Sequence, residues 1–223
     1  MAVKITFLGH SGFLLSDGAQ TVAIDPFLTG NPVAKHKPED IHCDAIALTH
    51  GHADHFGDTL TIAKACGATV IAAYEICDYV NRNGYENTEP ANPGGQITTK
   101  FGYVGFTPAF HSSSLDGRYM GPACGLAIEI GGVRFYHCGD TALFSDMKLL
   151  GQIIQPQIAM IPVGDRFTMG PKFGAMAAEW IGAPVAIPIH YGTWPLLTNN
   201  ISDFAPNGIE VKKMQPGETW VYE

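Results

Sequence analysis

Residues 49 to 55 read Thr49-His50-Gly51-His52-Ala53-Asp54-His55, directly after the apolar stretch Asp44-Ala45-Ile46-Ala47-Leu48. Three imidazoles and one carboxylate in one short segment are four donors of the kind that zinc and similar divalent ions take, and their closeness along the chain leaves little loop-closure entropy to oppose binding. Ordinary solvated loops draw on Ser, Asn, Lys and Glu instead. Gly51 and Ala53 between the donors let the backbone turn sharply without crowding an ion.

Outward from this segment, a buried strand ending at Leu48 feeds the donors, residues 58–65 have helical spacing, and Gly67 is placed to stop the helix. Residues 69–72 read as a strand and residues 74–83 as a second helix closed by Gly84. Upstream, residues 4–8, 12–16 and 21–25 alternate as short strands joined by glycine-containing turns. Downstream, residues 96–109 carry strands, and Gly131-Gly132 closes a hairpin of residues 124–130 and 133–138. The C-terminal third predicts helices at 143–153 and 173–181 and strands at 157–162, 184–189, 209–212 and 219–222. Strands first, then mixed strand and helix units in each half, predict an α/β chain folded as a four-layer αββα sandwich: two mixed β-sheets flanked by helices, in one domain spanning 1–223.

Of the 223 residues, 46% are hydrophobic and only 15% charged, enough for a sizeable core. A formal charge of -8 without Lys/Arg clusters argues against a surface that tracks phosphate backbones, so a small molecule rather than nucleic acid is the expected partner. The five cysteines, at 43, 66, 77, 124 and 138, are odd in number and lack a C-x-x-C spacing, and read as reduced, buried thiols. With no signal-like N-terminus and no membrane-length apolar run, a cytoplasmic protein is expected. Exposed apolar residues around Trp194 to Leu196 suit homo-oligomerisation.

Three isolated donors stand at predicted strand ends: His111 after Thr107-Pro108-Ala109-Phe110, Asp140 after His137-Cys138-Gly139, and His190 after Ile187-Pro188-Ile189. Strand ends are where a rigid scaffold presents functional side chains. The series His50-x-His52-x-Asp54-His55, lone His, Gly139-Asp140, lone His resembles the motif series of the metallo-β-lactamase superfamily. Gly9-His10-Ser11-Gly12, Asp25-Pro26-Phe27, Gly30-Asn31-Pro32 and Thr168-Met169-Gly170-Pro171 are similar to the small metal-dependent hydrolases related to the UlaG lactonase.

The resemblance implies a binuclear centre in which His50, His52 and His111 hold one ion, Asp54, His55 and His190 hold a second, and Asp140 bridges them. Zinc leads the candidate metals, with manganese, iron and nickel as alternatives for a site of imidazoles and carboxylates. Two adjacent cations lower the pKa of a shared water and polarise a carbonyl or phosphoryl oxygen, so the implied activity is hydrolysis of a small anionic ester, lactone or phosphodiester. Asp54 has a second reading, as the group that orients and deprotonates the water.

Around the donors, His10 on its tight turn is a candidate to contact substrate or orient a ligand, and Asp25 to accept the free ring N–H of a metal-bound His. Arg166, Thr168 and Tyr191 are candidates to hold a leaving group or an oxyanion. His137, by strand alternation, reads as a buried hydrogen-bonding residue and not an eighth ligand. The alternatives are an RNA or nucleotide phosphodiesterase and an iron-binding redox protein on the same scaffold. The chain lacks the basic surface of the first and supplies no electron source for the second.

Overall fold

The computed structural model describes residues 2–223. The strands are β1 (Val3–Gly9), β2 (Gly12–Ser16), β3 (Thr21–Ile24), β4 (Ala45–Ala47), β5 (Thr69–Ala73), β6 (Thr88–Ala91), β7 (Gln96–Thr98), β8 (Gly102–Pro108), β9 (Ser114–Leu115), β10 (Arg118–Tyr119), β11 (Cys124–Ile130), β12 (Val133–His137), β13 (Ile158–Pro162), β14 (Val185–Ile189), β15 (Glu210–Val211) and β16 (Thr219–Tyr222). The helices are α1 (Ala53–Phe56), α2 (Thr59–Cys66), α3 (Tyr74–Arg82), α4 (Met147–Ile154) and α5 (Pro171–Ile181). One seven-stranded sheet runs β16-β1-β2-β3-β4-β5-β6 and the other β15-β14-β13-β12-β11-β8-β7, while β9 and β10 form a separate small hairpin. Each large sheet mixes parallel and antiparallel pairs, as predicted.

The period-two pattern assigns each side chain to a layer. Val22 and Ile24 of β3, Ala45 and Ala47 of β4, and Ile71 of β5 point between the sheets, where they meet Leu126 and Ile128 of β11, Ile158 and Met160 of β13, and Ile187 and Ile189 of β14. The intervening residues face outward: Ala23, Ile46, Val70 and Ala72 pack under Ile62 of α2 and Ile76 and Val80 of α3. On the other sheet, Ala159, Ile161 and Ala186 pack under Met147 and Ile154 of α4 and Ala177, Ala178 and Ile181 of α5. Three apolar clusters between four layers make the αββα sandwich.

Strand direction fixes where function concentrates. The pairings orient β1, β3 and β4 alike in the first sheet, and β8, β12 and β14 alike in the second. Residues following the C-terminal ends of these strands carry His10, Asp25, the His50–His55 segment, His111, Asp140 and His190. Open α/β sheets gather ligands at such carboxyl ends.

Three departures from the sequence reading have physical causes. The donor segment is not all loop: His52 caps a single turn of helix, α1, that Gly57 ends at φ +43 against the Phe27 backbone. Helix α4 starts at Met147 and not at 143: Thr141 and Ala142 are hydrogen-bonded to Phe110, and a turn in which the Met147 amide donates to the Phe144 carbonyl leads into the helix. Strand β6 contains Pro90, which suits only the sheet edge that it occupies. Among the described residues, no helix is long and apolar enough to cross a membrane.

Candidate metal centre

His10, Asp25 and His190 adopt φ of 58°, 42° and 57°. Left-handed backbone is uncommon for residues with a side chain, and three such conformations at one site are held by the surrounding structure. The His190 amide donates to the His10 carbonyl (2.8 Å), joining the loops of the two sheets. The turn of α1 spreads consecutive side chains about 100° apart, which sends Asp54 toward His10 and His190 and His55 toward Asp25 and Asp140.

The imidazoles form two trios. His50, His52 and His111 lie with ring centroids 4.7 to 5.1 Å apart. His10, His55 and His190 lie 4.1 to 5.7 Å apart. His50 and His55, 4.1 Å apart, are the join. Asp140 Oδ2 reaches both trios, at 3.0 Å from His190 Nε2, 3.4 Å from His55 Nε2 and 3.5 Å from His111 Nε2. Asp54 Oδ2 lies 3.1 Å from His10 Nε2 and 3.8 Å from His190 Nε2.

Hydrogen bonds behind the donors fix which ring nitrogen faces inward. Asp25, fully buried, accepts from the Thr49 amide (2.9 Å), from Thr49 Oγ1 (2.6 Å) and from His55 Nδ1 (2.7 Å). The single Thr49 hydroxyl proton goes to Asp25, so Thr49 Oγ1 accepts from His50 Nδ1 at 3.0 Å. His50 and His55 therefore both spend Nδ1–H outward and present Nε2 inward. His55 Nε2 and Asp140 Oδ1 are buried without a hydrogen-bond partner. Buried polar atoms are rarely left unpaired, and orphaned donor atoms inside a His/Asp cluster are what a cation would satisfy. The donor set fits a metal: His50, His52 and His111 offer atoms within 4.8 Å of one another, as do His10, Asp54, His55 and His190, and as do His50, His55 and Asp140.

Charge follows burial and neighbours. Burial, reinforced by the charge of His55, holds His50 well below the ordinary imidazole range, and burial with His190 beside it lowers His10 to about 4. Both rings stay neutral at physiological pH, the form that ligates. Burial also disfavours charge on His55 and His190, but the Asp140 carboxylate outweighs it, raising His55 well above its ordinary value and His190 to about 9. Asp140 and Asp54 are pushed down despite burial, by His190 and His55 for Asp140 and by His10 and His190 for Asp54.

The seven residues expected as ligands all converge here. Asp25 occupies the place expected for it, and His10, expected beside the site, stands within the second trio. His137 is buried, donates through Nε2 to the Ser11 carbonyl (2.9 Å) and accepts the Gly139 amide at Nδ1 (3.0 Å), tying the sheets together as a non-ligand. Arg166 is exposed over Phe167, Thr168 donates to the Met169 carbonyl, and Tyr191 packs on the outer core of the second sheet. Among the described residues, no hydrogen bond or ion pair links these three to the cluster. The sequence reading missed Thr49, Thr193, which pairs with His10 Nδ1 at 2.8 Å, and Ser113, which accepts the Gly51 amide at 3.0 Å. Only their adjacency to donors marked them.

Two facing mixed sheets with outer helices and a double His/Asp cluster at one edge define a protein of the metallo-β-lactamase fold. Residues 20–191 match the family model described as Beta-lactamase superfamily domain. A UPF0173 metal-dependent hydrolase of Symbiobacterium thermophilum is 46% identical, covering 98% of this chain and 99% of its own length. One from Carboxydothermus hydrogenoformans is 43% identical over 97% of this chain and 98% of its own. The solved structure of a metallo hydrolase from the archaeon Ignicoccus hospitalis superposes with a TM-score of 0.90 at 33% identity, covering 100% of this chain and 99% of that one. The chain belongs to the UPF0173 metal-dependent hydrolase family.

Proposed function

We propose that this protein hydrolyses a small anionic ester, lactone or phosphodiester at a binuclear centre, with zinc as the leading metal and manganese, iron or nickel as alternatives. His50, His52 and His111 would hold one ion, Asp54, His55 and His190 the other, and Asp140 both. Two such ions, when bound, acidify water and polarise a carbonyl or phosphoryl oxygen. The observation that carries the reading is Asp140, whose Oδ2 lies 3.0 to 3.5 Å from imidazoles of both trios while Oδ1 has no partner.

The chain's own residues supply orientation and proton handling. Asp25 and Thr49 lock the His50 and His55 tautomers. Thr193 and His10 together hold Asp54 Oδ2. The Asp54 side chain is 25% exposed, the open side from which a carboxylate accepts a proton from water.

The test is metal content of protein purified without chelators, followed by turnover of lactones, esters and phosphodiesters with added zinc or manganese. Two ions per chain with hydrolysis that Asp54→Asn lowers by at least about 100-fold is the expected result. One iron per chain with no hydrolysis of any substrate would sink the reading.

A further inference from the structure

Phe110, the residue before His111, is 63% exposed yet firmly held. Its amide donates to Thr141 Oγ1 (3.0 Å), its carbonyl accepts the Ala142 amide (3.3 Å), and its ring packs edge-on against Phe144, with centroids 5.1 Å apart at 65°. These partners directly follow Asp140, so the aromatic pair joins the two stretches that carry the donors His111 and Asp140. A large apolar ring left in water forfeits about 1.5–3 kcal/mol of burial, and a site mouth is where such surface has a use.

A second aromatic contact is made at the other trio. Trp194 lies 4.8 Å from His10 and 6.0 Å from Phe27, next to the Thr193 that pins His10. Phe110 and Phe144 thus adjoin the donors His111 and Asp140 along the chain, and Trp194, backed by the buried Phe27, packs on the His10 ring of the second trio. Among the described residues, no Lys or Arg makes an ion pair with Asp54 or Asp140. Ser112 Oγ, 3.3 Å from His52 Nε2, is a neutral polar group at this edge, so beside the cluster Phe110 offers apolar contact and no cationic partner.

We infer that the substrate joins its scissile ester, lactone or phosphodiester group to an aryl or medium-length alkyl substituent that packs on the Phe110–Phe144 wall. This rests on the hydrolase reading for the floor of the site and adds the chemical class of the rest of the molecule. Apolar subsites discriminate by tens of fold per group filled, so the substituent sets specificity while the floor sets reaction type.

The test compares matched pairs on the metal-loaded protein: methyl acetate with methyl phenylacetate, and γ-butyrolactone with γ-phenyl-γ-butyrolactone. The phenyl member is expected to have kcat/KM about 10-fold or more above its partner, and Phe110→Ala to bring the ratio close to one. A wild-type ratio at or below one, or a ratio that Phe110→Ala leaves in place, overturns the inference. Calorimetric binding of phenylphosphonate against methylphosphonate supplies an arm that needs no turnover. Preference of about 10-fold for the phenyl compound, reduced by Phe110→Ala, supports the wall, and equal binding overturns it. No hydrolysis in either series alongside that binding preference would sink the hydrolase reading and leave the apolar wall standing. Dissociation of a self-associated form by Phe110→Ala, with the preference unmoved, would make the rim a self-association surface and overturn the inference.

Discussion

Asp25 accepts hydrogen bonds from two atoms of Thr49 and from His55 Nδ1 at zero exposure, which makes it the orienting group for a donor that it does not replace. Without it, the His55 ring is free to rotate and its tautomer is unfixed. Asp25→Ala is expected to weaken metal binding about 10- to 100-fold, measured by competition with a chromophoric chelator, while Asp25→Asn retains part of the affinity. Equal affinity in Asp25→Ala and the wild type would remove Asp25 from the site. The sequence offered Asp25 as a candidate partner for a ligand His from its place beside Pro26 at a strand end, and its contact with His55, thirty residues on, comes from the parallel pairing of β3 and β4. The membership of His10 in the second imidazole trio was not legible there, since its closeness to His190 arises from two loops on different sheets.

The small hairpin β9–β10 illustrates what an element adds to the donors beneath it. Arg118 fastens it to α3, through Asp78 at 3.3 Å and over the Tyr79 ring at 5.5 Å. Met120, beyond the hairpin, lies so close to Gly51 that a Cβ there would overlap its side chain. Gly51→Ala is therefore expected to cost about 1–3 kcal/mol by overpacking and to lower metal occupancy by displacing His50 and His52. The nearest overlap is with the Met120 Cβ, so Met120→Gly in the same chain should recover part of that loss, and a double-mutant cycle in urea unfolding with no coupling would contradict the contact. Neither β9 nor β10 was readable in the sequence, because two-residue strands carry no periodicity. Helices α2 and α5 were readable because apolar spacing ends at Gly67 and Gly182, both left-handed. The one turn of α1 is too short for a 3.6-residue pattern to register.

At the scale of the whole molecule, the donors come from loops of both sheets, so a bound cation stabilises the sandwich as a unit. Chelation is expected to lower the melting temperature, since a ligand at about a thousand times its dissociation constant adds about 4 kcal/mol, and identical calorimetric transitions with and without EDTA would argue against it. With the metal-site imidazoles occupied by a cation, buried thiols set a further alkaline limit. Burial raises Cys43, Cys77 and Cys124 from the ordinary value of 9.0 to about 12 each. In the folded protein these thiols stay protonated up to that pH, whereas the unfolded chain releases their protons above about 9. Between these limits the unfolded state binds fewer protons, so stability is fully present below pH 9 and is lost as pH rises toward 12. Each thiol contributes a slope of up to about 1.4 kcal/mol per pH unit, and three together remove about 4 kcal/mol per pH unit, against a total stability of about 5–15 kcal/mol for an ordinary domain. The urea midpoint of the metal-loaded protein, measured under reducing conditions, should fall steeply above about pH 9, with a shallower fall in Cys77→Ala. A midpoint that stays level to about pH 11 would mean that the three thiols reach solvent in the folded protein, contrary to their positions in β11, α3 and the approach to β4.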